Sequence, residues 1–258
     1  MIDDNAYKVT SNSQESALYS YAIQSGVKQR LFSITKDLEG DGKYEPALCM
    51  PVKWVDPNGN ELLIIHNRGW SGNDYRMDVM AWNLTADSMA WYRKGIADRA
   101  SSSRPAIEGN RVYLFSISMV FCIDAATGNT IWEWEKDPSD NFSGFKTANI
   151  LLVNDKIIAK SDSYWMYALD KMTGKRIWTN SDNAPMPYLL REYKDTIWFS
   201  SGGIYAIDAI TGRTLIDGWN NNGKGPFWSN TVAHHPTLGY IYTTDGDYIY
   251  CLDPSKMK

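Results

Sequence analysis

One stretch recurs along this chain, and its spacing leaves little freedom in what the chain can fold into. Ile204-Tyr205-Ala206-Ile207-Asp208-Ala209-Ile210-Thr211-Gly212 is an alternating apolar run that ends in Asp and is closed by Thr-Gly. Val120 to Gly128 and Met166 to Gly174 repeat it. Looser copies are Val79 to Asn83 and Ile249 to Asp253, and a faint one is Leu18 to Ala22 with Ser25-Gly26. The Asp-equivalent positions 22, 83, 124, 170, 208 and 253 are spaced by 61, 41, 46, 38 and 45 residues. A period of roughly 40–45 residues predicts four-stranded propeller blades, because one such unit cannot bury both of its faces alone.

Each part of the repeat has a structural task. The alternating run suits an inner strand packed on both faces. The Asp can accept from backbone N–H groups of the turn that it starts, and the Gly four residues on can take a positive φ. A Trp eight residues after the Asp position (Trp91, Trp132, Trp178, with Ile216 in the next unit) is expected on the outer strand, covering the joint to the following blade. Turn signals separate the strands: Asp56-Pro57-Asn58-Gly59, Gly109-Asn110, Asn154-Asp155, Lys194-Asp195 and Asp245-Gly246-Asp247. Asn-Gly between two β-rich runs is a strong hairpin signal. No helix-period stretch of useful length is present.

The fold class is therefore all-β, a propeller of four-stranded antiparallel blades, about six in number. The repeats are read as a partial first blade over 1–36 and then 37–95, 96–140, 141–181, 182–222 and 223–258, all within a single domain over 1–258. The last repeat stops just after its Asp, so the ring is either completed by residues 1–34 or left incomplete.

Composition removes several functions. The net charge of −4 argues against a general nucleic-acid binder, which needs an excess of Lys and Arg for phosphate. No apolar run approaches the length that spans a bilayer, so no transmembrane segment is expected. Met1-Ile2-Asp3-Asp4 has neither a basic start nor an apolar h-region. The chain is cytoplasmic on that reading, or its export signal has been trimmed. Cys49, Cys122 and Cys251 are too few and too scattered for a disulfide framework or a zinc cluster. Cys122 and Cys251 take the small apolar slot that Ala81, Ala168 and Ala206 hold elsewhere, and all three cysteines are expected to be buried hydrophobes.

Asp124-Ala125-Ala126-Thr127-Gly128-Asn129-Thr130-Ile131-Trp132 and Asp170-Lys171-Met172-Thr173-Gly174-Lys175-Arg176-Ile177-Trp178 resemble the repeats of pyrroloquinoline-quinone-type propellers. So does the lead-in from Pro105 to Tyr113. That family includes quinoprotein alcohol dehydrogenases and the non-catalytic outer-membrane assembly lipoproteins of the BamB type. The resemblance runs from about Ser103 to Asp253 and is weak before Met77. In the dehydrogenases the quinone is held by a vicinal disulfide, a Trp platform and a calcium site. This sequence has no adjacent cysteines, so pyrroloquinoline quinone is not expected. Fold does not fix function, which lives in sites grafted on the scaffold.

The strongest local motif is Asp37-x-Glu39-x-Asp41-Gly42-x-x-Glu45. Oxygen-bearing side chains at positions 1, 3, 5 and 9, with Gly at 6, suit a hard cation, so calcium is expected on Asp37, Glu39, Asp41 and Glu45. Leu48 stands where an EF-hand needs a bidentate Glu. The loop instead resembles the calcium loops of FG-GAP-type propeller repeats, in which the metal would act as a staple. The same region, with Lys53-Trp54-Val55-Asp56-Pro57, also resembles the opening of propeller rhamnogalacturonan lyases. Lyase chemistry would need a base such as His66, His234 or His235, and each is solitary in the sequence.

The expected function is a non-catalytic propeller that binds an envelope protein or a polysaccharide, in a periplasmic, cell-surface or secreted setting. A calcium-dependent lyase is the second reading and a quinone-dependent dehydrogenase the third. Partner binding is expected on the two longest loops, Asn67 to Tyr75 with Arg68, Trp70 and Tyr75, and Asp217 to Trp228 with Trp219, Lys224, Phe227 and Trp228. Trp, Tyr and Arg are the residue types that make binding hot spots.

Overall fold

The computed structural model describes residues 5–12, 15–35, 46–71, 74–141, 144–145, 149–182, 189–219, 232–235, 237–244 and 248–257. Among these residues the strands form six antiparallel sheets that follow the repeat in order. The first is β1 (Asn5–Ser11), β2 (Glu15–Ala22) and β3 (Lys28–Thr35). The second is β4 (Val52–Val55), β5 (Glu61–Ser71), β6 (Asp74–Asn83) and β7 (Ser88–Ala97). The third is β8 (Ala106–Glu108), β9 (Arg111–Phe115), β10 (Met119–Asp124) and β11 (Thr130–Glu135). Next come β12 (Leu151–Val153), β13 (Lys156–Lys160), β14 (Met166–Asp170) and β15 (Arg176–Asn180). The fifth is β16 (Arg191–Tyr193), β17 (Thr196–Ser200), β18 (Ile204–Asp208) and β19 (Thr214–Trp219). The sixth is β20 (Ala233–His234), β21 (Ile241–Thr244) and β22 (Ile249–Leu252), followed by a 3-10 turn over Pro254–Lys256.

The chain divides into two compact units, Met1–Glu133 and Trp134–Lys258. In the first unit, Ile64, Met77, Val79, Val112, Leu114, Phe121 and Ile123 make a buried core from the second and third sheets. Leu18, Phe32, Ile34, Leu63, Ile65 and Met80 make another from the first and second. In the second unit, Ile158, Met166, Ala168, Ile197, Phe199 and Ile207 pack the fourth sheet on the fifth. Trp198, Ile204, Ala206 and Ile241 belong to a further core from the fifth and sixth. Alternating apolar strands thus bury both faces by stacking sheet on sheet, as the repeat predicts.

The Asp turns form as expected. Asp170 Oδ1 accepts from Met172 N at 3.0 Å, Thr173 N at 2.7 Å and Thr173 Oγ1 at 2.8 Å. Asp124 and Asp208 accept from the same backbone positions, and Asn83 does so from Thr85 N and Ala86 N. Gly128, Gly174 and Gly212 close these turns with φ of +71°, +70° and +76°. Asp87 fills the same slot after Asn83 at φ +48°, without glycine's freedom.

Two of the outer-strand tryptophans, Trp91 and Trp178, also land as expected, whereas Trp132 of β11 packs 6.2 Å from Tyr113 of its own sheet. Trp91 of β7 donates from Nε1 to the Ala125 carbonyl at 3.0 Å, and Trp178 of β15 donates to Ala209 at 3.1 Å. Each indole lies flat on the turn glycine of the next sheet. A Cβ at Gly128 would stand 2.6 Å from the Trp91 ring, and one at Gly212 would stand 2.6 Å from Trp178. Thr-Gly is therefore needed twice over, for the turn and for the indole above it.

Four expectations differ from the structure, the simplest being that Cys49 is half-buried and not enclosed. Asn67 to Tyr75 is not an open loop: β5 and β6 stay paired from Asn67↔Asp78 to Ser71↔Asp74. Glycine and serine in that stretch do not break a ladder whose backbone bonds are made across the pair. Asp217 to Trp219 likewise belong to β19, with Ile204↔Trp219 in register. Cys251 is exposed rather than buried, because β22 is the end strand of its sheet and no described strand covers it.

Candidate functional site

One position of the second strand can be followed through the four complete sheets. The registers Ile64↔Ala81, Tyr113↔Cys122, Ile158↔Ala168 and Trp198↔Ala206 align the four complete sheets. Two residues further along the second strand stand His66, Phe115, Lys160 and Ser200. All four are buried, so the repeat encloses this slot while leaving its chemistry open.

In the first unit the slot holds His66, which is fully buried at the start of the long β5–β6 hairpin. Residues 47–49 pair alongside it: Cys49 N donates to His66 O at 2.9 Å and Arg68 N donates to Ala47 O at 2.8 Å. His66 Nε2 lies 2.8 Å from the Ser101 carbonyl. Burial pushes the Cys49 thiol up, but the charge and hydrogen bond of His66 and the charge of Arg68 outweigh it, leaving the thiol below its ordinary value. The same pairing carries His66 above its ordinary value against the opposing effect of its burial.

Beyond His66 the hairpin carries polar side chains outward. Arg68 is exposed, Tyr75 is 43% exposed, and the Arg99 guanidinium sits over the Tyr75 ring at 4.4 Å from its centroid. Trp70 pairs with Tyr75 in backbone register. Arg76 grips the fully buried Asp78 through Nε at 2.8 Å and Nη2 at 3.0 Å, and Gly95 N donates to the same carboxylate at 2.8 Å. A buried carboxylate held by three donors is a structural anchor for the hairpin.

In the second unit the slot holds Lys160. Its ammonium reaches the Ser161 carbonyl at 3.1 Å and the Ser163 carbonyl, and burial drives its pKa from 10.5 down to about 7, partly opposed by Asp162. Nearby, Tyr167 donates to Asp140 Oδ2 at 2.6 Å, and burial together with that carboxylate pushes the phenol well up. Trp134, Phe145 and Trp165 surround the Tyr167 ring at centroid distances of 5.1, 6.1 and 6.2 Å. A separate recess of about 320 Å³ is lined by Val232, Ala233, Tyr242, Ile249 and the cation Arg191. His234 of β20 stacks on Tyr193 at 4.9 Å and has burial holding it below its ordinary value.

The residues expected to bind calcium, Asp37, Glu39, Asp41 and Glu45, lie outside the described residues, as do Lys224, Phe227 and Trp228 and the side chain of Trp70. Trp219 is half-buried in β19, in the unit that does not contain Arg68 and Tyr75. No group of three or more His, Cys, Asp and Glu among the described residues is arranged to hold a metal. The adjacent cysteine pair of the quinone resemblance has no counterpart, since Cys49, Cys122 and Cys251 are separate thiols. Among the described residues no helix is long and apolar enough to cross a membrane. Sequence reasoning missed the Cys49–His66 pair. The one available signal was that His66 ends an apolar run at the position where Lys160 ends another.

Sheets of this strand order, joined by indole-capped Asp turns, define a β-propeller built from repeated antiparallel blades. The chain belongs to the family of outer membrane protein assembly factor BamB, whose model matches residues 74–217. It is similar to quinohemoprotein alcohol dehydrogenase ADH IIB of Pseudomonas putida, at 26% identity over 216 residues. That match takes in 66% of this chain, which spans only 31% of the length of that curated relative. Among solved structures it resembles BamB from Moraxella catarrhalis, with a TM-score of 0.54 and 14% identity over 92% of this chain and 72% of that one. It also resembles a chain of the mitotic checkpoint complex, with a TM-score of 0.65 and 12% identity over 96% of this chain and 73% of that one. The computationally designed Ika8 protein gives 0.55 and 11% identity over 97% and 81%. Identities this low speak for the fold alone.

Proposed function

We propose that this propeller is a non-catalytic scaffold that binds a protein partner of the cell envelope through the β5–β6 hairpin. The observation that carries the reading is the exposed Arg68 and Tyr75 on that hairpin, with Arg99 laid over the Tyr75 ring at 4.4 Å. A rigid aromatic braced by a guanidinium on a paired hairpin costs little conformational entropy when a partner covers it. Membership of the BamB family supports the scaffold role and an envelope setting. A calcium ion on Asp37, Glu39, Asp41 and Glu45 belongs to the same proposal, as a staple that orders the segment leading into residues 46–51.

The test is affinity capture from an envelope extract of the source organism, read by quantitative mass spectrometry, with calcium and with chelator. The wild-type chain is expected to retain a reproducible protein partner that Tyr75→Ala/Arg99→Ala loses by roughly tenfold or more. Equal capture by the variant overturns the hairpin as the binding face. Binding to acidic polysaccharide in place of protein overturns the protein reading.

A further inference from the structure

In the sixth sheet the alternation that buries a strand on both faces runs out. β22 begins with Ile249, an apolar side chain that is 83% exposed. Ile249 forms one wall of the recess of about 320 Å³, and Leu189 and Val232 form others. Val232 also belongs to the core made by the fifth and sixth sheets with Trp198, Ile204 and Ile241, so that wall is fixed. A concave apolar site with a few polar groups at its edge is the ordinary form of a small-molecule site.

Two polar side chains among these walls set what the recess can take. Arg191 opens β16, and the pairing Arg191↔Trp198 holds its backbone in place. Its guanidinium stays charged and presents a fork of donors that matches a carboxylate. Among the described residues no carboxylate lines the recess. Nearby His234 adds no charge in neutral buffer, because burial first and the Arg191 charge second hold its imidazole below the ordinary value. Thr243 also lines the recess, is 2% exposed, and has its Oγ1 enclosed with no hydrogen-bond partner among the described residues. An unpaired hydroxyl is costly, and its O–H turns towards an acceptor that comes within reach.

We propose that this recess binds a small apolar monocarboxylate, of which a medium-chain fatty acid is the simplest member. The carboxylate accepts from the Arg191 guanidinium, with Thr243 Oγ1 as a second donor, and the hydrocarbon tail lies on Leu189, Val232 and Ile249. The ionised oxygens make the strong class of hydrogen bond, and the tail supplies affinity by burying apolar surface. At roughly 30 Å³ per non-hydrogen atom the recess holds about ten of them. A dicarboxylate or a sugar suits it poorly, since a second charge or a ring of hydroxyls would meet apolar walls without partners. The site lies in the second unit and does not rest on the partner-binding hairpin of the first, so either can fail alone.

The experiment titrates the full chain with octanoate, followed by calorimetry and by NMR of the isoleucine and valine methyl groups. Octanamide, of the same length without the charge, and octylamine, of the opposite charge, are run alongside. Octanoate is expected to bind with a dissociation constant of about 1 mM or tighter and to shift the Ile249 and Val232 methyl signals. Octanamide should bind roughly fivefold more weakly, and octylamine more weakly still. Arg191→Gln, at an exposed position, should erase the preference for octanoate and leave octanamide binding unchanged. Thr243→Val keeps the shape and removes the unpaired hydroxyl, so it should fold at least as stably and bind octanoate roughly threefold more weakly. Absence of binding at millimolar octanoate overturns the proposal, as does binding that leaves the Ile249 and Val232 signals unmoved. Equal affinity of the wild-type chain for octanoate and octanamide overturns the carboxylate class without needing any variant to fold. A preference that survives Arg191→Gln overturns Arg191 as the anchor.

Discussion

At one end of the sheets Asn83, Asp124, Asp170 and Asp208 make the same turn with the same backbone bonds; at the other, one aligned slot holds His66, Phe115, Lys160 and Ser200. The first end is solved once and copied, because a four-stranded sheet must leave its third strand and return as a fourth, and in the second and fourth sheets Trp91 and Trp178 are seated on the next turn. The second end is only required to be enclosed. Imidazole, phenyl, amine and hydroxyl side chains all fit there, and two of the four, His66 and Lys160, can carry a proton. The scaffold therefore concentrates uniformity at the turn end and chemical variety at the hairpin end, and the two can be perturbed separately.

The sharpest break at the turn end is Gly128→Ala. The new Cβ meets a backbone at φ +71° and the Trp91 ring at 2.6 Å, so strain and overpacking add. A loss of about 2–4 kcal/mol is expected, seen as a lower urea midpoint at unchanged slope. Alkylation of Cys49 in the folded fraction should not change, since the substitution lies at the other end. A coupled change would mean that the two ends are not independent.

At the hairpin end, Lys160→Met should act through pH. Below about pH 7 the folded protein buries a charged amine, and that penalty is present in full. Between about 7 and 10.5 the folded state gives up the proton while the unfolded state keeps it, so wild-type stability rises with pH. The slope is at most about 1.4 kcal/mol per unit, giving about 2 kcal/mol of gain between pH 7 and 9. The Met variant should lack that slope and hold its largest advantage in slightly acid buffer. Parallel stability curves for the two proteins would show that Lys160 stays charged, held by the Ser161 and Ser163 carbonyls.

The turn end was legible because each requirement there is local: an acceptor at one position, a positive φ four residues on, an aromatic four beyond that. Asp124, Gly128 and Trp132 can be read within nine residues. The hairpin end was not. Cys49 and His66 become neighbours only through the pairing of 47–49 with 66–68, and Ser101 arrives from the next sheet's approach. Composition misled at Asn67 to Tyr75, where glycine and serine suggested a loop but ladder bonds held both strands to Ser71 and Asp74. Cys251 was misread for a different reason: its slot is buried only where a fourth strand follows.

Asp170→Ala removes the acceptor of three bonds from Met172 and Thr173 at the turn end. A loss of about 1 kcal/mol is expected. Hydrogen bonds from Thr173, with those from the backbone N–H groups, hold the Asp170 carboxyl below its ordinary value. The stability it adds is therefore present above the ordinary carboxylate pKa and fades as pH falls through the lower, folded value. Wild type and variant should differ at pH 7 and converge in strong acid. A difference that persists in strong acid would place the turn's stability in its backbone geometry and not in the carboxylate.

The smallest effect tests the one turn that departs from the rule. Asp87 stands at φ +48° where Gly128, Gly174 and Gly212 stand in the other sheets. A left-handed non-glycine residue carries roughly 1–2 kcal/mol of strain, whereas glycine there surrenders roughly 0.5–1 kcal/mol through the freedom of its unfolded chain. Asp87→Gly should therefore raise stability by less than about 1 kcal/mol, measured as a small upward shift of the urea midpoint. A fall in stability would mean that the Asp87 side chain supports the turn. The turn end would then be less uniform than its backbone, and part of the contrast with the hairpin end would be lost.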